Sequence, residues 1–341
     1  MFAPKYTEYH SKYFANILTL TNSSRGVERL SQGIFNAKVD LNPHQVEAAL
    51  FAFKSPISEG VILADEVGLG KTIEAGLILT QYWCEHKRQI IIIAPASLRK
   101  QWSVELYEKF FLDSVILDAQ SYKQFKKNGI DEPFNQGDKI VITSYNFAAK
   151  MQAEILKARF QLAVVDEAHK LRNIYKPSSK ISHSIKSALN GTKKILLTAT
   201  PLQNSLLELY GLVSILDERV FGDKRSFSDQ FVTGKMTNAQ FRDLKSRISP
   251  FCHRTLRKDV VEYVPYTNRI ALVQEFYPSN DEQALYNLIS EFLQSTNLHS
   301  IPNSQKTLII LIVRKLLASS TRAIENTLST MIEIGRASCR E

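Results

Sequence analysis

Short, continuous apolar runs recur along the first two-thirds of the chain and limit what it can fold into. Six of them can be distinguished: Val61–Ala64, Ile90–Ala94, Val115–Leu117, Ile140–Thr143, Leu162–Val165 and Ile195–Thr198. Most are apolar without alternation, which is typical of strands that are buried on both faces of a parallel sheet. Stretches with helical spacing separate them. The sequence therefore predicts an α/β fold, in which an open parallel sheet carries helices on both faces.

The last third of the chain has a different pattern. Residues 218–260 hold scattered phenylalanines and many charges but no strong strand, which predicts short helices that project from the sheet domain. Beyond them, Ile270–Phe276 has the pattern of one more strand, Asp281–Gln294 carries the apolar stripe of a helix, and Leu308–Leu317 begins another element. The length of 341 residues is that of about two domains.

Composition excludes several classes of protein. Hydrophobic residues make up 44% and charged residues 23% of the chain, which is far from a disordered composition. No apolar run approaches the roughly 18–20 residues that span a bilayer, and the first residues carry no apolar signal core. The three cysteines are far apart and odd in number, so they predict no disulfide framework. We therefore expect a cytoplasmic protein without membrane contact, whose net charge of +9 mildly favours a polyanionic partner.

The first apolar run leads into a glycine-rich turn and then a helix, in the sequence VILADEVGLGKT. That order of strand, loop and helix is what a phosphate-binding loop requires. Gly68 and Gly70 let the backbone turn and point N–H groups at an anion. Lys71 can reach the β- and γ-phosphates of ATP, and Thr72 can hold Mg²⁺. The strict pattern has glycine where this chain has Asp65, and the competing interpretation is a Gly-Lys-Thr turn without a ligand.

The fifth apolar run ends in two carboxylates, in the sequence LAVVDEAH. Ligands of open α/β sheets bind at the carboxyl ends of the strands, where Asp166 and Glu167 are expected to lie. Asp166 is suited to the Mg²⁺ shell, and Glu167 to orienting or deprotonating the attacking water. Taken alone the pair is weak evidence, because helix N-termini also favour acids. Downstream of a phosphate loop it is strong evidence for an ATPase with Lys71, Asp166 and Glu167 as catalytic residues.

Six motifs in the expected order resemble those of superfamily 2 helicases and translocases, and more specifically the Swi/Snf-type branch of DNA translocases. They are LNPHQ (Leu41–Gln45), ADEVGLGKTIEAGLIL (Ala64–Leu79), IIIIAPASLRKQW (Ile90–Trp102), TSYNF (Thr143–Phe147), VVDEAHKLRN (Val164–Asn173) and LLTATPLQNSLLELYGLVSILD (Leu196–Asp217). The run DEVGLGKTIEAG is similar to the bacterial subgroup that includes the RNA-polymerase-associated ATPase HepA/RapA, and to related defence-system ATPases. Asp65 is normal in this family.

The resemblance implies a RecA-like fold, ATP and Mg²⁺ as cofactors, and double-stranded DNA as the partner. It implies that the loop from Asp65 to Thr72 binds ATP and that Gln45 reads the adenine. His169, Thr198 and Thr200 would couple the nucleotide state to the nucleic-acid site. On the residues alone, Gln45 can also be a helix-start residue, and the two threonines can be ordinary strand-end residues. RNA polymerase and defence-system proteins both stay open as protein partners.

Positive charge concentrates around the proposed catalytic strand. Residues 157–194 hold nine Lys or Arg and two acids, a local balance of +7. Such a surface suits DNA phosphates, whose contacts carry affinity without sequence information. A solvated charged face is the competing interpretation. The residues expected to contact nucleic acid are Arg99, Lys100, Lys170, Arg172, Lys176 and Lys180.

The resemblance also sets the expected domain organisation. Residues 1–40 would be an N-terminal extension, 41–217 the first RecA-like lobe, 218–300 a helical protrusion and 301–332 the start of a second RecA-like lobe that is otherwise absent. Residues 333–341, EIGRASCRE, do not continue the pattern of the preceding helix, and their back-translation resembles a sequencing adapter. We therefore expect them to be read-through at a point where the gene is cut off.

The sequence thus predicts the ATP-binding lobe of an ATP-dependent double-stranded-DNA translocase, which couples hydrolysis to movement on DNA or to remodelling of protein–DNA complexes. Because the family's arginine finger belongs to the second lobe, we expect this chain alone to be nearly inactive as an ATPase. Two alternatives stay open: a strand-separating helicase and a nucleic-acid-binding module without catalysis. The intact set of Lys71, Asp166 and Glu167 favours the enzyme over the module.

Overall fold

The computed structural model describes residues 37–55, 59–234, 236–264, 277–294, 306–319 and 321–338. In these ranges seven strands form one sheet: β1 (Gly60–Leu63), β2 (Ile90–Ala94), β3 (Ser114–Leu117), β4 (Ile140–Ser144), β5 (Leu162–Asp166), β6 (Lys193–Leu197) and β7 (Cys252–His253). Their order is β3-β4-β2-β5-β6-β1-β7, and every neighbouring pair is parallel. The predicted open parallel sheet is confirmed, and its first six strands coincide with the six apolar runs.

Helices connect the strands and come after the last of them. Ten lie in the first part of the chain: α1 (Pro43–Lys54), α2 (Lys71–Cys84), α3 (Arg99–Phe110), α4 (Ala119–Lys127), α5 (Tyr145–Lys150), α6 (Gln152–Ala158), α7 (Lys180–Ala188), α8 (Leu206–Leu216), α9 (Lys224–Phe227) and α10 (Asn238–Ile248). A π turn at Ser228–Val232 joins α9 to the segment before α10, and together they confirm the short helices predicted for residues 218–260. No helix in the described ranges is long and apolar enough to cross a membrane.

The sheet separates two apolar layers, one on each face. Ile90 and Ile92 of β2 pack in the layer that contains residues of α1, α2 and α3. Ile91 and Ile93 pack in the layer that contains residues of α5, α6, α7 and α8. All four isoleucines are fully buried. The runs do not alternate because both faces of each central strand are covered by helices, so both faces must be apolar.

Strand β7 is a short strand within residues 218–260, for which the sequence predicts helices and no strong strand. Cys252 and His253 pair in parallel with Ile62 and Leu63 of β1, at the edge of the sheet. Two residues are too few to give an apolar run, so no periodicity marks them. The backbone groups that β1 leaves open at the sheet edge are what orders this segment, and they are a tertiary feature.

The chain divides into two compact units, residues 1–266 and 267–341. The second contains α11 (Asn280–Gln294), α12 (Lys306–Ser319) and α13 (Thr321–Ser338), whose described core is formed by Ile289, Leu293, Val313 and Ile324. Helix α11 confirms the helix predicted over Asp281–Gln294, and α12 is the element predicted from Leu308.

Helix α13 also corrects one expectation. It extends to Ser338, so the expectation that residues 333–341 do not continue a helix is wrong for residues 333–338. A single Gly335 costs a helix only about 1 kcal/mol relative to alanine, and the neighbouring residue types permit helix. Residues 1–36 and the strand predicted at Ile270–Phe276 lie outside the described residues. The expected domain boundaries stay predictions.

Helix α8 comes very close to the segment after β5. A Cβ on Gly211 would lie 2.0 Å from the carbonyl oxygen of Arg172. Arg172 directly follows the 3₁₀ turn Ala168–Leu171, which comes after the two predicted catalytic carboxylates. Because glycine has no side chain, α8 can pack at Gly211 directly against the backbone that follows the turn.

We expect Gly211→Ala to destabilise the fold by about 1–3 kcal/mol, because overpacking at a backbone contact forces the helix away from the turn. Urea denaturation monitored by circular dichroism measures the effect. Gly137→Ala is the matched control, since a Cβ there would meet nothing within 4 Å. Equal denaturation midpoints for the two variants would contradict the close contact.

Candidate active site

The register of three neighbouring strands assembles the site. In the pairing of β1 with β6, Leu63 lies beside Leu197, and in the pairing of β5 with β6, Leu197 lies beside Asp166. The three strands therefore end at the same level. The glycine-rich loop after β1, Thr198 after β6 and Asp166 at the end of β5 all lie along the carboxyl edge of the sheet, as expected for an open α/β fold.

The glycine-rich loop turns through two left-handed residues. Gly68 has φ +87° and Gly70 has φ +90°, values that side chains with a Cβ rarely adopt. Gly70 directly precedes α2, whose first residue is Lys71. The first N–H groups of a helix have no partner within it, and with the helix dipole they favour an anion. This geometry is compatible with the predicted phosphate loop, which stays a prediction.

Lys71 closes the loop on itself. Its Nζ donates hydrogen bonds to the carbonyl oxygens of Asp65, at 2.8 Å, and Glu66, at 3.2 Å. A lysine ammonium has three donors on a flexible stem, so it can exchange these carbonyls for phosphate oxygens without leaving the loop.

Asp166 is held by two hydrogen bonds. Trp102 on α3 donates from Nε1 to its Oδ2 at 2.8 Å, and the backbone N–H of Glu167 donates to its Oδ1 at 2.9 Å. Burial raises the pKa of Asp166 above its ordinary value, and the hydrogen bond from Trp102 opposes this shift without cancelling it. Trp102 is buried, and sequence reasoning missed its role. The signal was its place in the motif after β2, where it reads equally well as an apolar helix residue.

Glu167 has an unusual backbone. Its φ is +54°, a left-handed value that is uncommon outside glycine and clusters at functional sites. Its Oε2 lies 3.0 Å from Nδ1 of His169. This conformation turns the chain sharply after β5 and leads it into the 3₁₀ turn.

A cavity of about 330 Å³ brings these parts together. From the predicted set, it is lined by Gly68, Gly70, Lys71, Thr72, Asp166 and Glu167. Four residues of the α3 region, Leu98, Gln101, Trp102 and Glu105, add to the wall. A larger groove of about 950 Å³ lies elsewhere, between α7 and α8, and contains none of the predicted residues.

Gln45 lies behind the loop rather than in the cavity lining. Its Oε1 accepts from the backbone N–H of Asn42 at the start of α1, and its Nε2 donates to the carbonyl of Leu69 at 3.0 Å. His44 contacts the same carbonyl at 2.9 Å through Nε2. A Cβ on Gly70 would lie 2.4 Å from Nε2 of Gln45. The start of α1 therefore supports the loop from one side, which sequence reasoning missed for His44.

Asp65 also lies below the loop, fully buried. Its Oδ1 accepts from the backbone N–H of Thr255 at 2.7 Å and lies 3.4 Å from Nδ1 of His253. Burial by itself raises the pKa of Asp65, but the hydrogen bonds from His253 and Thr255 outweigh it and lower the pKa. Asp65 thus joins the loop to the segment after β7.

Glu74 of α2 is the buried neighbour of Asp65. Burial, the charge of Asp65 and a hydrogen bond to Asp65 raise the pKa of Glu74 well above its ordinary value of 4.5. Oδ2 of Asp65 and both carboxyl oxygens of Glu74 are buried without a conventional donor, and a proton on Glu74 supplies one. The signal for this pair was a charged residue inside the apolar run TIEAGLIL.

The three residues expected to couple the sites do not line the cavity. His169 lies beside Glu167, as described above. Thr198 is fully buried, its N–H donates to the carbonyl of Leu63, and its Oγ1 accepts from the N–H of Thr200. Thr198 therefore connects the end of β6 to Leu63 at the end of β1, just before the loop that begins at Asp65.

The six residues expected to contact nucleic acid differ in their surroundings. The side chains of Lys100, Lys170, Lys176 and Lys180 are exposed or partly exposed. Arg99 is partly buried, with Nη1 3.4 Å from Asp118. Arg172 is also partly buried, and its Nε lies 3.5 Å from the buried carboxylate of Glu208. The four lysines are thus better placed for a phosphate backbone than the two arginines.

A model of the SNF2-related domain matches residues 29–328, which is most of the chain. The chain belongs to the SNF2-related domain family. The resemblance carried by the six motifs is therefore confirmed at the level of the family.

Curated relatives in the SNF2-related family come from bacteria and eukaryotes. An uncharacterised ATP-dependent helicase of Bacillus subtilis, YqhH, is 34% identical over 85% of this chain and 48% of the relative. The RNA polymerase-associated protein RapA of Sodalis glossinidius is 32% identical over 58% of this chain and 21% of the relative. The chromatin structure-remodeling complex subunit snf21 of Schizosaccharomyces pombe is 28% identical over 66% and 20%. The chain spans less than half the length of these relatives.

Two solved structures share the fold of this SNF2-related chain. The Sulfolobus solfataricus SWI2/SNF2 ATPase core in complex with dsDNA has a TM-score of 0.57 at 22% identity, over 85% of this chain and 60% of that one. The same organism's SWI2/SNF2 ATPase core domain gives 0.54 at 23% identity, over 89% and 64%. The RecA-like fold expected from the motifs is confirmed.

The buried pair of Glu74 and Asp65 predicts a pH-dependent stability. The pKa of Glu74 is higher in the folded than in the unfolded chain. Its contribution to folding stability is therefore fully present below the pKa of the unfolded chain, and it is lost as the pH rises through the pKa of the folded chain. Glutamine does not ionise and can still donate to Asp65. The stability of Glu74→Gln relative to the unsubstituted chain should therefore grow as the pH rises above about 4.5, by at most about 1.4 kcal/mol per pH unit.

Melting curves of both proteins between about pH 5 and about pH 8 measure this difference. Glu108→Gln on the exposed side of α3 is the matched control, and its difference should not change with pH in the same way. A constant or shrinking advantage of glutamine at position 74 would contradict the neutral state of Glu74.

Proposed function

We propose that the first unit is the ATP-binding lobe of a Swi2/Snf2-type, DEAH-box, ATP-dependent double-stranded-DNA translocase. It would couple ATP hydrolysis to movement on DNA or to remodelling of protein–DNA complexes. The observation that carries the proposal is one cavity in which Lys71 and Thr72 of the phosphate loop face Asp166 and Glu167. Membership of the SNF2-related domain family supports it.

The cavity suits ATP by the chemistry of its lining. Gly68 and Gly70 allow backbone N–H groups to face an anion at the start of α2, where the helix dipole adds to the attraction. Lys71 would exchange its two carbonyl partners for the β- and γ-phosphates. The adenine contact of Gln45 stays a prediction, because its Nε2 is engaged with the loop carbonyl of Leu69.

Mg²⁺ fits the same place. The hydroxyl of Thr72 and the carboxylate of Asp166 are oxygen ligands of the kind it prefers, and both residues line the cavity. No group of three or more His, Cys, Asp or Glu in the described part of the chain could hold a metal by itself. Nucleotide oxygens and water would therefore complete the shell, and the bound ion would neutralise phosphate charge.

Glu167 would orient or deprotonate the attacking water, as a carboxylate beside the phosphate loop is suited to do. His169 lies beside Glu167, and Thr198 bonds to the end of β1 and to Thr200. These three residues would pass changes at the nucleotide to neighbouring segments. These roles rest on the family resemblance and on the contacts described above.

The DNA part of the proposal rests on the four lysines and on a similar structure. Lys100, Lys170, Lys176 and Lys180 lie at the surface in the segments that come after β2 and β5. One of the similar solved structures is a Swi2/Snf2 core in complex with double-stranded DNA. Phosphate contacts by lysines give affinity without base readout.

Other candidate functions and partners have less support. The relative YqhH is named an ATP-dependent helicase, which favours a strand-separating activity as the second candidate. RapA is named an RNA polymerase-associated protein, which makes RNA polymerase one candidate partner. Defence-system proteins stay a candidate on the motif resemblance alone. A cytoplasmic location stays a prediction.

Lys71→Ala should abolish binding of a fluorescent ATP analogue, because it removes the charge that meets the β- and γ-phosphates. Binding is measured here rather than hydrolysis. Fast hydrolysis needs an arginine at the γ-phosphate, and the described residues that line the cavity include none. An arginine finger is typically worth about 10³–10⁵ in rate, so we expect slow turnover by this chain alone. Lys87→Ala beyond the end of α2 is the control, and unchanged affinity in Lys71→Ala would overturn the assignment.

Duplex DNA should bind with an affinity that falls steeply with salt, by roughly one unit of logarithmic slope per phosphate neutralised. The double variant Lys176→Ala, Lys180→Ala should lower that slope by about two units. Lys157→Ala is the control from the same basic stretch, since Lys157 is paired with Glu132 at 2.8 Å. Fluorescence anisotropy over a salt series measures the slopes, and a flat response would count against the DNA partner.

A further inference from the structure

The segment from β7 to Arg257, the first residue of the 3₁₀ turn Arg257–Asp259, runs along the outer side of the glycine-rich loop. We call this segment, residues 252–257, the strap. The N–H of Ala64 donates to the carbonyl of His253 at 2.7 Å, and the N–H of Glu66 donates to the carbonyl of Thr255 at 3.2 Å. In return the N–H of Thr255 donates to the buried carboxylate of Asp65. The strap therefore accompanies the chain from the end of β1 into the loop.

The last residue of the strap, Arg257, hydrogen-bonds to Glu66 and Val67, the two residues before Gly68. Its backbone N–H donates to Oε2 of Glu66 at 2.7 Å. Its guanidinium donates twice to the carbonyl of Val67, from Nε at 3.0 Å and from Nη2 at 2.6 Å. A Cβ on Gly68 would lie 3.3 Å from Nη2. Two donors of one planar group on a single carbonyl fix the direction of that carbonyl.

Fixing the carbonyl of Val67 also fixes the N–H of Gly68. The two belong to one peptide unit, which is planar and trans, so the C=O and the N–H point in opposite directions. Arg257 approaches from outside, because it is not among the residues that line the cavity, whereas Val67 and Gly68 are. A carbonyl drawn outward by the arginine leaves the N–H of Gly68 directed away from it, toward the side where an anion would bind.

The peptide between Val67 and Gly68 gains from such a contact because it lies in the most exposed part of the loop. Val67 is 64% exposed, and Gly68 and Gly70 are the residues that lose the most conformational freedom when they are ordered. His44 and Gln45 hold the loop only at the carbonyl of Leu69. The N–H of Leu69 donates to the carbonyl of Glu66 at 3.3 Å and closes a turn around this peptide, but no part of that bond holds the carbonyl of Val67. Without a partner on Val67 the peptide can take more than one orientation, and the N–H of Gly68 would face a phosphate only part of the time.

We infer that Arg257 is a positioning residue for nucleotide binding: it holds the peptide between Val67 and Gly68 in the orientation that presents the Gly68 N–H to a phosphate. The inference rests on the proposed binding of ATP at this loop. It assigns Arg257 an action through the loop backbone rather than a contact with the ligand.

The first test measures the affinity of a fluorescent ATP analogue for the 341-residue chain and three variants. Arg257→Ala should weaken binding about tenfold, the usual effect of losing a charge-assisted hydrogen bond that pre-organises a site. The affinity of Arg257→Lys should lie between those of the unsubstituted chain and Arg257→Ala. A lysine ammonium can donate to the carbonyl of Val67, but without the two-donor fork of arginine. Arg254→Ala is the matched control, an exposed arginine of the same strap whose loss should leave the affinity unchanged.

The second test needs no nucleotide. Hydrogen exchange of the amides from Glu66 to Gly70 should be faster in Arg257→Ala than in the unsubstituted chain and in Arg254→Ala, while exchange in the central strands is unchanged. Should the alanine variant not fold, Arg257→Lys carries both measurements, with smaller changes of the same sign.

The outcomes separate the inference from the function on which it rests. If the unsubstituted chain does not bind the ATP analogue, the proposed function is wrong, and loop exchange alone decides whether Arg257 orders the loop. If that chain binds the analogue and Arg257→Ala binds it equally well, the inference is wrong and the proposed function stands. An equal loss in Arg254→Ala would also overturn it, since the effect would then be one of charge alone.

Discussion

The parallel register of β1, β6 and β5 is the constraint on which the rest of the structure depends. Leu63, Leu197 and Asp166 lie in one row of neighbouring strands, so the segments that leave these strands emerge at the same edge of the sheet. A shift of one residue in either pairing would turn every side chain of the shifted strand to the opposite face. It would also move Asp166 out of the row that it shares with Leu197 and Leu63, and so away from the loop that follows β1.

The glycine-rich loop is held by contacts with two other segments and by a buried pair of carboxyls. His44 and Gln45 bind the carbonyl of Leu69 from α1, and the strap binds the loop from β7. The buried pair of Asp65 and Glu74 lies beneath. Buried carboxyls are costly unless they are paired or neutral. Here hydrogen bonds from His253 and Thr255 lower the pKa of Asp65, whereas burial raises the pKa of Glu74 and favours its neutral form. These contacts add to the two hydrogen bonds by which Lys71 closes the loop on itself.

Charge along the sequence and charge at the surface differ in the basic stretch. Three lysines that contribute to its balance of +7 have acidic partners elsewhere: Lys157 with Glu132, Lys186 with Glu218, and the buried Lys194 with Glu59. The positive charge open to a partner is therefore smaller than the count suggests, and it is concentrated in the lysines after β5. Contacts between distant elements, which a count of residues cannot show, make this difference.

The sequence by itself determined six of the seven described strands, their parallel arrangement under helices, and the residue types that meet at the candidate site. Apolar runs buried on both faces leave no choice but a parallel sheet under helices, and the order of glycines, Lys71, Thr72, Asp166 and Glu167 comes from local strand–loop–helix connections. Only the tertiary structure decided what positions these residues. Trp102 reaches Asp166 from another element, β7 pairs through backbone groups of two residues, and Arg257 meets Val67 across 190 positions of the chain. Local patterns record which face of a strand or helix is apolar, whereas contacts of this kind exist only once the sheet has brought distant segments together.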